Sequence, residues 1–165
     1  MPRPLQVITK IRLAPERPAL IRRVFLCLLI TGIMLAEAGG FSFAQEVNLA
    51  IIAKIESSNN PLAYNPASHA RGMYQITPIC LKDYNIQNRA NLSVDALFNP
   101  STCYTVAKWY IATRIPQLLK NRGIVVTTDT ILIAYNAGIS WVGKKNLPKE
   151  TVYYLKKYAR LSKER

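Results

Sequence analysis

The chain has 165 residues, with 22 Lys+Arg against 9 Asp+Glu, a formal net charge of +13. Such a balance favours a polyanionic partner, yet no basic run is interleaved with stacking aromatics as a single-stranded nucleic-acid site would require, so nucleic acid is not expected as a partner. His69 is the only histidine and neither Cys80 nor Cys103 lies near it in sequence, which excludes a zinc site of three or four ligands; no metal and no cofactor is expected.

Arg22 and Arg23 precede an uncharged run from Val24 to Ala36, 13 residues long. A membrane-spanning helix needs about 20 apolar residues, and a shorter run behind basic residues is the pattern of a secretory leader. Ser42-Phe43-Ala44 places small residues where a signal peptidase reads them, so cleavage is expected after Ala44, with Ala38 as the second choice. The basic region before the run is long for a leader, and a retained N-terminal anchor is the alternative. Cys27 lies near the start of the run, where a lipid-attachment cysteine would lie at its end. Residues 1–44 are thus read as a signal peptide and the product as exported, periplasmic or extracellular. Six basic and two acidic residues lie before Gln45, which leaves 16 against 7, a formal +9, for residues 45–165. A carboxylate- and phosphate-rich bacterial wall suits that charge and that compartment. This length fits one domain with its own core, and no Gly/Ser linker, repeat or low-complexity tract divides it.

The domain reads as mainly α. Val47, Ala50, Ile51 and Ile55 recur at helical spacing; Glu56 closes that helix and Asn59-Asn60-Pro61 stops it. Residues 61–75 form a loop with Pro61, Pro66 and Gly72, and period-two stretches are scarce enough to allow at most a minor hairpin. Pro78 opens a short helix carrying Cys80 and Leu81, and Ser93 caps another through Ala96-Leu97-Phe98. Asn99-Pro100 pairs an N-cap with proline at the first helical position. Cys103, Val106, Ala107, Tyr110 and Ile111 share one face of the helix that follows, which Pro116 should end or kink. Thr127 or Thr128 caps the next helix; its continuous apolar run Ile131–Ala134 marks it as the central buried one, ending at Tyr135-Asn136 and Gly138. The last helix begins near Pro148-Lys149-Glu150, with Leu155, Tyr158 and Leu161 as its apolar stripe.

Cys80 and Cys103 are the only cysteines after the expected cleavage site. An even count in an oxidising compartment favours a disulfide. It would close a loop of about 24 residues and contribute about 3 kcal/mol in the chain-entropy model. Two buried free thiols are the other reading.

One acid is placed for chemistry. Glu56 follows Ile51, Ile52 and Ile55 and sits where a helix meets a loop. Half-burial against apolar neighbours raises a carboxyl pKa and lets it deliver a proton near neutral pH. Breaking a glycosidic bond needs such a proton on the leaving oxygen. By position alone, Glu56 reads first as a surface glutamate at a helix end. Its company argues otherwise. Glu56-Ser57, an upstream Ser68, Gly72-Met73-Tyr74-Gln75, Ala134-Tyr135-Asn136-Ala137-Gly138 and Glu150-Thr151-Val152-Tyr153-Tyr154 follow in order with compact spacing. Together they resemble the soluble lytic transglycosylase family, from about Val47 to Lys157. The first four correspond to its Glu-Ser motif, the serine before its glycine motif, its Gly-Leu-Met-Gln motif and its Ala-Tyr-Asn-Ala-Gly motif. The fifth corresponds to its Glu-Thr-x-x-Tyr motif.

The resemblance implies a lysozyme-like domain over residues 45–165, acting on peptidoglycan glycan strands. Glu56 would be general acid and then general base. Ser57, Ser68, Met73, Tyr74, Gln75, Tyr135, Asn136 and Tyr154 would form the substrate-binding set. Gln75, Tyr135 and Asn136 would line the cleft, Ser68 would meet a sugar or its acetamido group, and Tyr154 would reach toward Glu56. Tyr153 could instead be the inward tyrosine, and core packing with a satisfied hydroxyl is the plainer role for Tyr135 and Tyr154. Tyr74 departs from the family pattern, which has methionine before the glutamine; a ring there would narrow a subsite or stack on a pyranose. Second carboxylates are scarce, since Asp83, Asp95, Asp129 and Glu150 fall near helix ends where capping or dipole roles suit them. That scarcity favours a substrate-supplied nucleophile and a 1,6-anhydro product. A hydrolysing muramidase, a non-catalytic wall-binding scaffold and a chitin-type substrate are the alternatives. The resemblance also suggests service to an envelope-spanning secretion or conjugation apparatus.

Overall fold

The computed structural model describes residues 47–164. The expected leader and both of its cleavage positions lie outside the described residues. What is described is a mainly α, lysozyme-like domain with one two-stranded antiparallel hairpin.

Helix α1 (Leu49–Ser57) is capped by Asn48, whose Oδ1 accepts from the N–H groups of Ala50 and Ile51. It ends at Ser58 and Asn59, both left-handed with φ of 56° and 66°. Their N–H groups turn back to the carbonyls of Lys54 and Ala53, which satisfies the last turn. Ile51, Ile52 and Ala53 are buried, so the helix is fixed inward and presents Glu56 at its end. The hairpin follows as β1 (Tyr64–Asn65) and β2 (Ala70–Arg71), with Tyr64 opposite Arg71 and Asn65 opposite Ala70. Arg71 pins it: its guanidinium stacks 5.1 Å over the Tyr64 ring and faces Asp95 at 3.5 Å.

Pro78 opens α2 (Pro78–Asn88), capped by Thr77. The 94–98 segment forms a 3-10 turn, and α3 (Pro100–Trp109) starts at the Asn99 cap, whose Oδ1 accepts from Thr102 N–H at 3.1 Å. Pro116 does not end this helix. The chain widens into a π turn at Tyr110–Arg114 and continues as α4 (Ile115–Lys120). A proline removes one ladder hydrogen bond and its ring crowds the preceding turn. The wider turn just before Pro116, with Ile115 N–H bonded to Tyr110 O five residues back, takes up that crowding without a break.

The central helix is α5 (Thr128–Asn136), where Ile131, Leu132, Ile133 and Ala134 are all buried. Thr127 is its cap, in a reciprocal capping box with Thr130. Helix α6 (Lys149–Lys163) packs on α1 and α5 through Thr151, Tyr154, Tyr158 and Leu161, with Leu155 only partly buried. The Tyr158 hydroxyl accepts from Asn48 N–H at 2.8 Å, which ties the far end of α6 to the start of α1. These contacts hold both ends of α1, and therefore Glu56, against the core.

Candidate active site

The cleft is a cavity of about 300 Å³ lined by Glu56, Asn65, Ser68, Gln75, Thr77, Cys80, Tyr110, Tyr135 and Asn136, with Ala70 and Ile76. It lies at the lower end of the size range for small-ligand pockets. Burial pushes the Glu56 carboxyl from 4.5 up to about 7, while the Tyr154 hydroxyl and the Lys157 ammonium pull it down. The C-terminal end of a helix disfavours negative charge and works with burial. Near neutral pH a large fraction of Glu56 therefore carries a proton it can give away.

The glycine turn beside Glu56 is unusually constrained. Gly72 has φ +74°, and a Cβ there would collide with the Leu97 carbonyl oxygen and the Cys103 sulfur. Gln75 is also left-handed, at φ 49°. Its Nε2 donates to Gly72 O at 3.0 Å and to Ala63 O at 3.3 Å, so its amide nitrogen braces the turn while the residue still lines the cavity. Non-glycine residues at such φ values are held there by surrounding bonds and cluster at functional sites.

Ser57, Met73 and Tyr74 do not line the cavity. Ser57 Oγ donates to Met73 O at 2.9 Å, tying the end of α1 to the turn. Met73 packs its side chain against the core. Tyr74, 4% exposed, turns its ring toward Tyr104 at 6.2 Å and not into the cavity. The carbonyl of Tyr74 is what the site uses, accepting from the Tyr135 hydroxyl at 2.6 Å. Ser57 is thus bonded to the turn's backbone, Met73 packs on the core and the Tyr74 ring is buried, so these three expected substrate contacts stand off the cavity. Ser68, Gln75, Tyr135 and Asn136 line the cavity as expected. Of the two candidate tyrosines, Tyr154 is the inward one at 5% exposed, and Tyr153 faces solvent at 66%.

Tyr154 presents a buried hydroxyl with no hydrogen-bond partner of ordinary geometry, although it lies close enough to Glu56 to favour that residue's charged form. The contact is therefore a near approach and not a formed bond. A buried unpaired hydroxyl is costly, and catalytic hydrogen bonds are often long before substrate binds. Burial and the nearby Glu56 raise the Tyr154 pKa, so the phenol stays protonated as a donor aimed at the acid.

Cys80 and Cys103 are free thiols, both buried, and not the expected disulfide. The two sulfurs serve different surroundings. Cys103 sits under the glycine turn, where backbone groups of Tyr74 and Met73 favour its thiolate although burial raises its pKa. Cys80 faces the cleft, and burial pushes its thiol up to about 12, with Asp83 and Cys103 adding to the shift.

Sequence reasoning missed Asn65, Thr77 and Tyr110 as cleft residues and read Cys80 as a disulfide partner or a buried thiol, not as a cleft residue. Thr77 was legible as the cap before Pro78. Nothing in the spacing announced that the hairpin would bring Asn65 into the same cavity as Glu56.

A helical lysozyme-like domain with a protonatable glutamate at the rim of a polar cleft defines a glycosidic-bond-cleaving class. Residues 36–155 match the Transglycosylase SLT domain family, and the chain belongs to it. The match begins inside the segment read as a leader. Neither a curated protein nor a solved structure matches the chain at a significant level. Membership gives the chain a lytic transglycosylase-type, peptidoglycan-acting function.

Proposed function

We propose that this chain cleaves the β-1,4 bond between N-acetylmuramic acid and N-acetylglucosamine and leaves a 1,6-anhydro-N-acetylmuramic acid end. The observation that carries this reading is that Glu56 is the one carboxyl among the residues lining the cavity. Among the described residues the other acids are engaged or placed elsewhere. Asp83 holds Arg114 at 2.7 Å and Asp95 faces Arg71 at 3.5 Å. Glu164 lies 3.9 Å from Arg160, while Asp129 and Glu150 open α5 and α6. Two-carboxylate glycosidases keep their pair about 5–9.5 Å apart across the scissile bond, and nothing lining this cleft supplies the second member.

In the first half-reaction Glu56 gives its proton to the glycosidic oxygen, the C1–O bond breaks and the N-acetylglucosamine side leaves as an alcohol. In the second, the 6-hydroxyl of the same muramic residue attacks C1 and its proton passes to the Glu56 carboxylate. Glu56 ends as it began and no water is consumed. A tethered hydroxyl has a high effective concentration, and a cleft with a single carboxyl offers a bulk water no separate base.

Mass spectrometry of digested walls tests the reading. Anhydro ends, each roughly 18 Da lighter than a hydrolytic product, are expected; predominantly reducing ends would make the enzyme a hydrolysing muramidase. Export and action at the bacterial wall belong to the same proposal, supported by the positive balance of the chain. Service to an envelope-spanning secretion or conjugation apparatus is its furthest part, and co-purification with such an apparatus tests it.

A further inference from the structure

The helix that carries Cys103 keeps its core face on positions four apart: Cys103, Ala107, Ile111, Ile115 and Leu119 are all buried. An α-helix turns once in about 3.6 residues, so a strict four-residue repeat drifts about 40° per step and about 160° over four steps. The π turn at Tyr110–Arg114 winds more slowly and removes much of that drift. It keeps Ile115 and Leu119 in the core and leaves Tyr110 on the wall of the cleft, in the same cavity as Glu56, Ser68 and Gln75.

Tyr110 lies beside two other aromatic rings. Its ring centroid stands 6.1 Å from that of Tyr135 and 6.2 Å from that of Trp109, which meets Tyr84 edge-on at 5.2 Å. The last residue of the π turn, Arg114, is clamped to α2 by a two-pronged ion pair with Asp83, at 2.7 and 3.0 Å. A half-buried aromatic ring fixed by packing and by a bidentate clamp loses little freedom when a ligand settles on it. The C–H face of a pyranose is apolar and suits such a ring.

We propose that Tyr110 is a sugar-contacting residue, a platform for one N-acetylated pyranose, set in place by the π turn and its Asp83–Arg114 clamp. The proposal rests on the reading of the cleft as a glycan site.

Wall clearing by the full chain is compared for Tyr110→Phe, Tyr110→Leu and Tyr153→Leu. The ring is kept in the first, lost in the second, and lost at an exposed position outside the cavity in the third. Tyr110→Leu should raise KM about tenfold with a smaller change in kcat, Tyr110→Phe should recover most of that loss, and Tyr153→Leu should stay within about twofold of the parent. An unchanged KM for Tyr110→Leu, a Tyr110→Phe no better than Tyr110→Leu, or an equal rise for Tyr153→Leu overturns the platform. A binding readout separates this from the enzymatic reading and serves also if Tyr110→Leu does not fold. An N-acetylglucosamine tetramer is titrated into Glu56→Gln protein while the Tyr110 ring resonances, assigned with Tyr110→Phe, are followed by NMR. These resonances should shift on binding even if the wild type proves not to cleave walls. Resonances that stay in place through the titration overturn the proposal while leaving wall cleavage by Glu56 untouched.

Discussion

The two walls of the cleft are built on different physics. The wall formed by the hairpin and the glycine turn is anchored on the core by Met73, Tyr74 and Ile76, but its course is set by bonds to the backbone. It is held by left-handed backbone at His69, Gly72 and Gln75 and by side chains bonded to carbonyls, with Ser57 on Met73 O, Gln75 on Gly72 O and Tyr135 on Tyr74 O. The wall formed by Tyr110, Tyr135 and Asn136 stands on packed helices, with Ile111, Ile115 and Ile131–Ala134 buried behind it. Glu56 sits between them, at the end of one helix and against one turn. Most of the motif side chains near it thus fix where the turn's backbone runs, and Glu56 alone is placed to move a proton. Substitutions at Glu56 should therefore act on chemistry, and substitutions in the turn should act on geometry and stability.

Replacing Glu56 breaks that division at its strongest point. The amide of Glu56→Gln keeps the shape but has no proton to deliver, and general acid catalysis is worth about 10²–10⁴-fold. Clearing of purified walls should fall by that factor while circular dichroism stays that of the wild type. Near-wild-type clearing by the folded variant would remove Glu56 from the mechanism.

Gly72 tests the turn. Alanine at φ +74° would meet the Leu97 carbonyl and the Cys103 sulfur, and a left-handed conformation adds about 1–2 kcal/mol. Gly72→Ala should lose about 3–4 kcal/mol in denaturant unfolding. A loss below about 1 kcal/mol would mean that the hydrogen-bonded wall yields more easily than its geometry implies.

The pH dependence of stability separates the acid from its surroundings. The Glu56 pKa is raised from 4.5 to about 7 on folding, so between those values the native state holds a proton that the unfolded chain has lost. The contribution of the protonated acid is complete below about 4.5 and is lost as pH rises through about 7, roughly 3 kcal/mol in all. Unfolding free energies of the wild type and Glu56→Gln should diverge by that amount between pH 4 and pH 8, in favour of the variant. Activity should fall over the upper part of the same range, as the acid loses its proton. Parallel stability curves would place Glu56 in water and not in a half-buried cleft.

Helix starts and the central helix were legible because they rest on local rules. Asn99-Pro100, Pro78 and the run Ile131–Ala134 carry their structure within a few residues. Glu56 was not legible from its position alone; the order and spacing of the motifs around it singled it out. The π turn was less legible still. Pro116 argues for a break, and only the four-residue spacing of buried positions from Cys103 to Leu119 reveals a helix wound more slowly than usual. Ser57, Met73 and Tyr74 adjoin cleft residues in sequence yet stand off the cavity, beside left-handed steps at Ser58, Gly72 and Gln75 that reverse which way a neighbour's side chain points. Proximity along the chain says nothing about that reversal, and the direction of the Tyr74 ring depends on φ values of its neighbours that the sequence does not display.

Ser57 gives the finest test of the two walls. Its Oγ donates to Met73 O at 2.9 Å and lies 3.4 Å from Ala53 O in its own helix, so it is the one side-chain bond from the end of α1 to the turn. Ser57→Ala removes that donor but not the apolar packing of α1, and an ordinary hydrogen bond contributes about 0.5–1.5 kcal/mol. Because Ser57 is absent from the cavity wall, its loss should lower stability by about 1 kcal/mol and leave sugar binding alone. Any loss of activity should then appear in kcat, through the position of Glu56 against the turn, and not in KM. A rise in KM without a change in stability would return Ser57 to the substrate's side of the cleft, and the turn would then be held by Gln75 and Tyr135 without it.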